Sequence, residues 1–177
     1  MNNLKHIIKI AAWFLTGGLL LAFDLFTKHL AVSNLKNKAA YSLIDDVLQF
    51  RYLENQGAAW GIFAGRIRMF SILTIVVLVL MIFVLFRSEA MINRISSVRS
   101  VLTLQWVLVV MIAGALGNFI NRVTNGYVVD FIYFKAIDFP VFNVADCYVT
   151  IATVMLLIIM IFGISEDDFN MLLKIKG

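Results

Sequence analysis

The chain has little cysteine, histidine, proline or charge: one Cys, two His and one Pro in 177 residues, with only 15% charged. Each scarcity excludes something. Cys147 alone cannot form an internal disulfide, and it reads as a small apolar filler at a helix start rather than a nucleophile. His6 and His29 are too few for a His-rich metal site. Both are far in sequence from any loop nucleophile, so no Ser/His or Cys/His pair competes for a catalytic role. Pro140 is the only proline, and no Pro-, Gly- or Ser-rich linker divides the chain, which reads as one domain over 1–177. No internal repeat is present, unlike the many transporters built from repeated halves. The net charge of +4 suits a neighbour of anionic lipid, and basic residues are not interleaved with aromatics as in nucleic-acid binders.

What is abundant is apolar surface. Hydrophobic residues make up 62% of the chain, and the mean hydropathy is +0.91. Such a composition needs lipid as its solvent. Met69–Phe86, Ser100–Asn121 and Cys147–Ser165 are free of charge over 18, 22 and 19 residues. Each is near the roughly 20 residues a helix needs to cross the hydrocarbon layer. A fourth apolar run starts near Ile10, meets Asp24 and Lys28, and fades near Leu35. The spacing predicts four spans, at about 10–32, 69–87, 100–121 and 146–165. The first run also resembles a signal peptide, with Lys5 and Lys9 before it, but it outlasts a typical h-region and no small-x-small site closes it. It reads as an uncleaved span. Lys and Arg divide seven to eight between the two sides, so the positive-inside count does not decide orientation. The short basic loop 87–99 favours a cytoplasmic place for it and for both termini.

Between the spans lie segments of another kind. In Val47–Leu53, Leu48, Phe50 and Tyr52 alternate with Gln49 and Arg51, the period of a half-buried strand. Gly57, Gly61 and Gly65 follow, suited to tight turns. Gly126–Val129 reads as a second short strand. A small sheet from about 36–66 and 123–145, above a four-helix bundle, is the expected architecture. Ala113 and Gly117 form a small-xxx-small pair, which suits close helix packing.

The polar residues that interrupt this pattern need reasons. Asn118, Asn121 and Arg122 close the third span; they fit either helix capping with a snorkelling arginine or a polar site at the membrane edge. Asp24 and Lys28 stand four apart in the favourable order for a helical ion pair, which reads as structural. Asp130, Asp138 and Asp146 recur every eight residues. A helix N-terminus would explain Asp146 by itself. It would not explain Asp130, which is expected to end a strand in an apolar setting. Two acids brought together there would share a proton, giving a base and an acid at one pH.

These residues carry a wider pattern. Asp24–Lys28 (DLFTK), Asn55–Phe63 (NQGAAWGIF), Gly114–Val123 (GALGNFINRV), VVDF at 128–131 and FNVAD at 142–146 occur in order across nearly the whole chain. In this the chain resembles the lipoprotein signal peptidases (signal peptidase II), aspartic proteases of the bacterial inner membrane. The resemblance implies four transmembrane helices, a small extracytoplasmic β-sheet cradle and cytoplasmic termini. It implies cleavage of diacylglyceryl-modified prolipoproteins just before the lipidated cysteine, sensitivity to globomycin, and no metal or cofactor. It assigns Asp130 and Asp146 as the catalytic pair. Asn55, Asn118, Arg122 and Asn143 match polar residues that surround the pair and hold substrate, and Asp24 and Lys28 match a supporting pair. Asp138 matches no required position. Many relatives have Asp where this chain has Asn121, which alters the local charge beside Arg122. The expected partners are diacylated prolipoproteins and membrane lipids, with the protein a monomer. The rival readings are a small proton-coupled transporter or relay, in which the same acids carry protons, and a lipid-binding scaffold.

Overall fold

The computed structural model describes residues 3–57 and 67–173. Four long helices carry the apolar runs: α1 (Asn3–Leu35), α2 (Ile67–Ala90), α3 (Val98–Asn125) and α4 (Val144–Phe162). All four are long and apolar enough to cross a membrane. Helix is the natural state for such runs, because hydrocarbon offers backbone N–H and C=O groups no other partner. The expected turns at Gly61 and Gly65 lie outside the described residues, as does most of the NQGAAWGIF segment.

α3 is the hub. Half of its most apolar 18-residue window is buried, against 11% to 17% for the other three. It packs on α1, α2 and α4, while the outer faces of those helices display Leu, Ile, Val and Phe for lipid to cover. Val101, Leu104, Leu108 and Ala152 lie in the resulting core with Trp13 and Leu85.

A three-stranded antiparallel sheet caps one end of the bundle, ordered β1 (Tyr41–Ile44), β2 (Leu48–Asn55), β3 (Val128–Phe134). Phe50 and Tyr52 turn inward and Arg51 outward, as their alternation predicts. Inside the sheet, Val129 and Phe131 pack against Ala31 of α1. α3 ends at Gly126, whose φ of 76° is a left-handed geometry that costs a glycine little, and its N–H returns to Arg122 O. β3 begins two residues later. It does not stop at Asp130, as expected, but runs four residues further. The extension is held on both edges: Leu48 pairs with Phe134 on one side, and Ile132 exchanges hydrogen bonds of 2.8 and 3.0 Å with Phe142 on the other. Asp130 therefore sits inside a strand.

The opposite end of the bundle holds both terminal segments. Glu89, at the end of α2, is ion-paired with Lys9 and lies 2.5 Å from His6 Nδ1, both on α1. Gln105 of α3 donates to Glu89 Oε2 and Ser88 Oγ, each at 3.1 Å. A short helix after α4, α5 (Glu166–Leu173), places Asp168 against the start of α3. There it accepts from the N–H groups of Ser96 and Ser97 at 3.1 and 2.7 Å, and from the Ser96 hydroxyl at 2.8 Å.

Candidate active site

The two aspartates at the ends of the sixteen-residue interval come together beneath the sheet. Asp130 enters from β3 and is 1% exposed. Asp146 enters from the first turn of α4, three residues after the N-cap. The cap itself is Asn143, in a capping box that pairs Asn143 Oδ1 with Asp146 N–H and Asp146 Oδ2 with Asn143 N–H, both at 3.1 Å. The Asn143 amide also donates to Asp130 Oδ1 at 2.6 Å. One buried side chain is thus bonded to Asp130 and to the backbone of Asp146, and fixes where the two acids stand. Asp138 lies apart: it is exposed, in left-handed backbone with φ 47°, and accepts from Tyr133 OH at 2.7 Å.

Each carboxylate has further donors. Asn55, at the end of β2, donates to Asp130 Oδ2 at 2.8 Å and accepts from Gly57 N–H at 3.0 Å. Asn118 donates to Asp146 Oδ1 at 2.7 Å. Behind Asn118, Lys28 donates to its oxygen at 2.9 Å and to Asp24 Oδ2 at 2.8 Å. Asp24 Oδ1 in turn accepts from Ala145 N–H at 2.9 Å, in the first turn of α4. The Asp24–Lys28 pair does more than neutralise itself within α1: it binds the start of the helix that carries Asp146 and orients the asparagine that holds it. Gly117 makes room for this, since a Cβ there would overlap the Asp24 carboxylate. The small-xxx-small glycine serves the polar network as well as the packing.

Asn121 does not cap α3. Its oxygen accepts from Val129 N–H at 3.1 Å, tying α3 to β3 one residue before Asp130. Arg122 stands over the Phe70 ring, 5.7 Å from its centroid, and faces the same cavity as both aspartates. Sequence reasoning offered Asn121 a helix cap, a polar site at the membrane edge and a charge effect, and no local signal pointed to its strand partner.

The acids look into a cavity of about 1000 Å³ between the sheet, the loop 138–142 and the first turns of α4. Leu53, Phe139, Val141, Phe142 and Ile151 give it an apolar wall. Burial, and next the adjoining Asp146 charge, push the Asp130 carboxyl up to about 6; bonds from Asn55 and Asn143 and the Lys28 charge offset them in part. Among the described residues, no group of three or more His, Cys, Asp or Glu side chains could hold a metal ion. A buried acid beside a half-buried one, each with ordered donors, can pass a proton to and from a bound water or carbonyl.

Known proteins resemble this chain in sequence and in fold. The family model described as signal peptidase (SPase) II matches residues 16–162. The lipoprotein signal peptidase of Staphylococcus aureus (strain bovine RF122 / ET3-1) is 37% identical over 138 residues, covering 77% of this chain and 79% of that one. That of Enterococcus faecalis (strain ATCC 700802 / V583) is 34% identical over 152 residues, covering 86% and 89%. A bacterial membrane enzyme solved by the in meso method at 2.3 Å superposes with a TM-score of 0.73 at 32% identity, over 95% of this chain and 94% of its own. Neither the fold nor these relatives favour a transporter. With four membrane-crossing helices and a family match over most of its length, the chain belongs to the signal peptidase II family and is a multi-pass membrane protease.

Proposed function

We propose that this protease is an aspartic endopeptidase that removes the signal peptide from diacylglyceryl-modified prolipoproteins, cutting just before the lipidated cysteine. The observation that carries the assignment is Asn143, which binds Asp130 by its side chain and Asp146 through a capping box, behind the apolar-walled cavity that both acids line. Asp130 and Asp146 are the catalytic residues. One takes a proton from a water held between them; the other, protonated, hydrogen-bonds the scissile carbonyl and loads charge onto it as the tetrahedral intermediate forms. The proton then returns to the leaving amine, and the pair is restored. The shared proton belongs to the pair, because two carboxyls held side by side cannot both ionise cheaply.

Asn55, Asn118 and Asn143 keep the pair aimed, and Arg122 offers a cation to the substrate backbone. Asp24 and Lys28 hold the start of α4. The signal helix enters sideways between the spans with its acyl chains in lipid. The sheet lies on the extracytoplasmic face of the bacterial inner membrane and both termini in the cytoplasm, with the protein acting as a monomer beside membrane lipid. Metal and cofactor play no part in this scheme.

The test is cleavage of a diacylated prolipoprotein by purified protein in EDTA, with and without globomycin. Cutting that survives the chelator and stops with globomycin is expected, as is loss of cutting in folded Asp130→Asn and Asp146→Asn variants. A variant that keeps near-normal turnover would overturn the residue assignment; no cutting under any condition would overturn the function.

A further inference from the structure

We propose that Asn121 is a positioning residue for Asp130, acting through the peptide between Val128 and Val129. The inference rests on the reading of Asp130 as catalytic. Asn121 is 7% exposed and lies on α3, which is anchored on three sides by other helices. Its amide oxygen accepts the Val129 N–H at 3.1 Å. In β3, Val129 stands opposite Glu54 and Asp130 opposite Leu53, and the pairing with β2 slips between Phe50 and Leu53. The ladder is irregular just after Asp130, and just before it Asn121 supplies a bond from outside the sheet that fixes the strand to α3. Side-chain bonds from Asn55 and Asn143 then hold the carboxylate itself. Without Asn121 the strand that carries Asp130 would keep its pairing with β2 and its bond to Phe142 but lose its tie to α3, the rigid helix behind it.

The choice of an amide also sets the charge. The inner groups around Asp130 are Asp24 and Lys28 on α1, Arg122 on α3 and Asp146 on α4; Arg51 and Glu54 of β2, Tyr133 of β3, Asp138 of the loop and Cys147 of α4 line the same cavity farther out. In the inner set, three carboxylates meet two cations, so one shared proton leaves it neutral. An aspartate at 121 would keep the acceptor and add a fourth negative charge. At a separation on the order of 8 Å and an effective dielectric near 20, such a charge moves an ionisation up by about one to two pH units.

The experiment compares wild type, Asn121→Ala, Asn121→Asp and Asp130→Asn in cleavage of a diacylated prolipoprotein, with kcat/KM followed from pH 4.5 to 9. Asn121→Ala should lose at least about tenfold in kcat with KM little changed, as a misaimed acid would. Asn121→Asp should recover most of that kcat and shift its descending limb upward by about one to two pH units. If Asn121→Ala does not fold, the aspartate variant decides by its kcat and its limb. Wild-type kcat in Asn121→Ala, or an Asn121→Asp variant with low kcat or an unmoved limb, would overturn the inference while leaving the peptidase standing. A wild type that cuts nothing, or an Asp130→Asn variant that cuts normally, would remove both.

Discussion

Replacing Asn143 by alanine and by aspartate should separate its two duties. Asn143 is fully buried and makes three side-chain bonds: it accepts from Asp146 N–H and donates to Asp130 and to Asn118. Loss of an N-cap costs about 1 kcal/mol, and loss of a hydrogen bond to a charged group about 1.5–3 kcal/mol. Alanine should therefore lower stability by about 2.5–4 kcal/mol, less whatever water entering from the cavity restores. Aspartate is as good a cap as asparagine, so the helix start should survive. It has no amide to donate, however, and it would set a third carboxylate against Asp130 within hydrogen-bond distance. That repulsion at close range, in a site from which water is largely excluded, outweighs the retained cap. Asn143→Asp should then be the less active of the two at neutral pH, and should regain activity as the pH is lowered. Thermal unfolding in detergent gives the first quantity and the kcat for prolipoprotein cleavage gives the second. An Asn143→Asp protein with wild-type stability and kcat at pH 7 would refute the bridging role.

Three further outcomes are expected. Gly117→Ala should abolish cleavage or folding, because its new methyl overlaps the Asp24 carboxylate; an active, stable variant would show that α1 and α3 can part there. If the singly protonated pair is the working form, kcat/KM of the free enzyme should fall as pH rises through about 6, where the pair loses its shared proton, and fall again in stronger acid as the second carboxyl protonates. A rate that climbs steadily through pH 6 would exclude a singly protonated pair as the working form. Asp168→Asn should destabilise the protein by about 1 kcal/mol through loss of the charge at the start of α3. Burial alone would raise the Asp168 carboxyl, but donors from Ser97 and Ser96 hold it well below the usual range. Its contribution is thus present above pH about 4 and lost as pH falls through the lower, folded value, so the Asn penalty should shrink in strong acid.

Much of this was legible from residue order. Three uncharged runs and one interrupted run marked four helices, because lipid leaves an apolar segment few other choices. The alternation in Leu48–Tyr52 marked β2. A carboxylate with no local partner marked Asp130 as needing a reason. What stayed hidden was long-range. Nothing near Asp24 says that it will bind Ala145, 121 residues away, and nothing near Asn121 names Val129. Asn143 came only through the family pattern, although its place three residues before Asp146 is a capping-box signature. The extent of β3 depended on Phe142 returning to its edge. The polar knot at the far end was missed altogether. Gln105, a lone amide in an otherwise apolar run, was a usable sign, since a polar group in lipid must find a partner.

That knot has a mechanical meaning. Glu89, with Lys9, His6 and Gln105 around it, bolts α1, α2 and α3 together at the end remote from the aspartates, and Asp168 fastens α5 over the same place. Spreading the helices there would strand a buried carboxylate; at the other end the Asp24–Lys28–Asn118 network ties α1, α3 and α4 in the same way, and α2 is the helix whose parting costs mainly apolar contacts that lipid can cover. The bundle is built like tweezers, pivoting at the knot. α2 has 24 residues and is roughly 36 Å long, so a tilt of about 10° at the pivot opens a gap of about 6 Å at its free end. Such a gap is about half the 10–12 Å width of a helix, so a swing of that size loosens one side of the bundle without passing a whole helix.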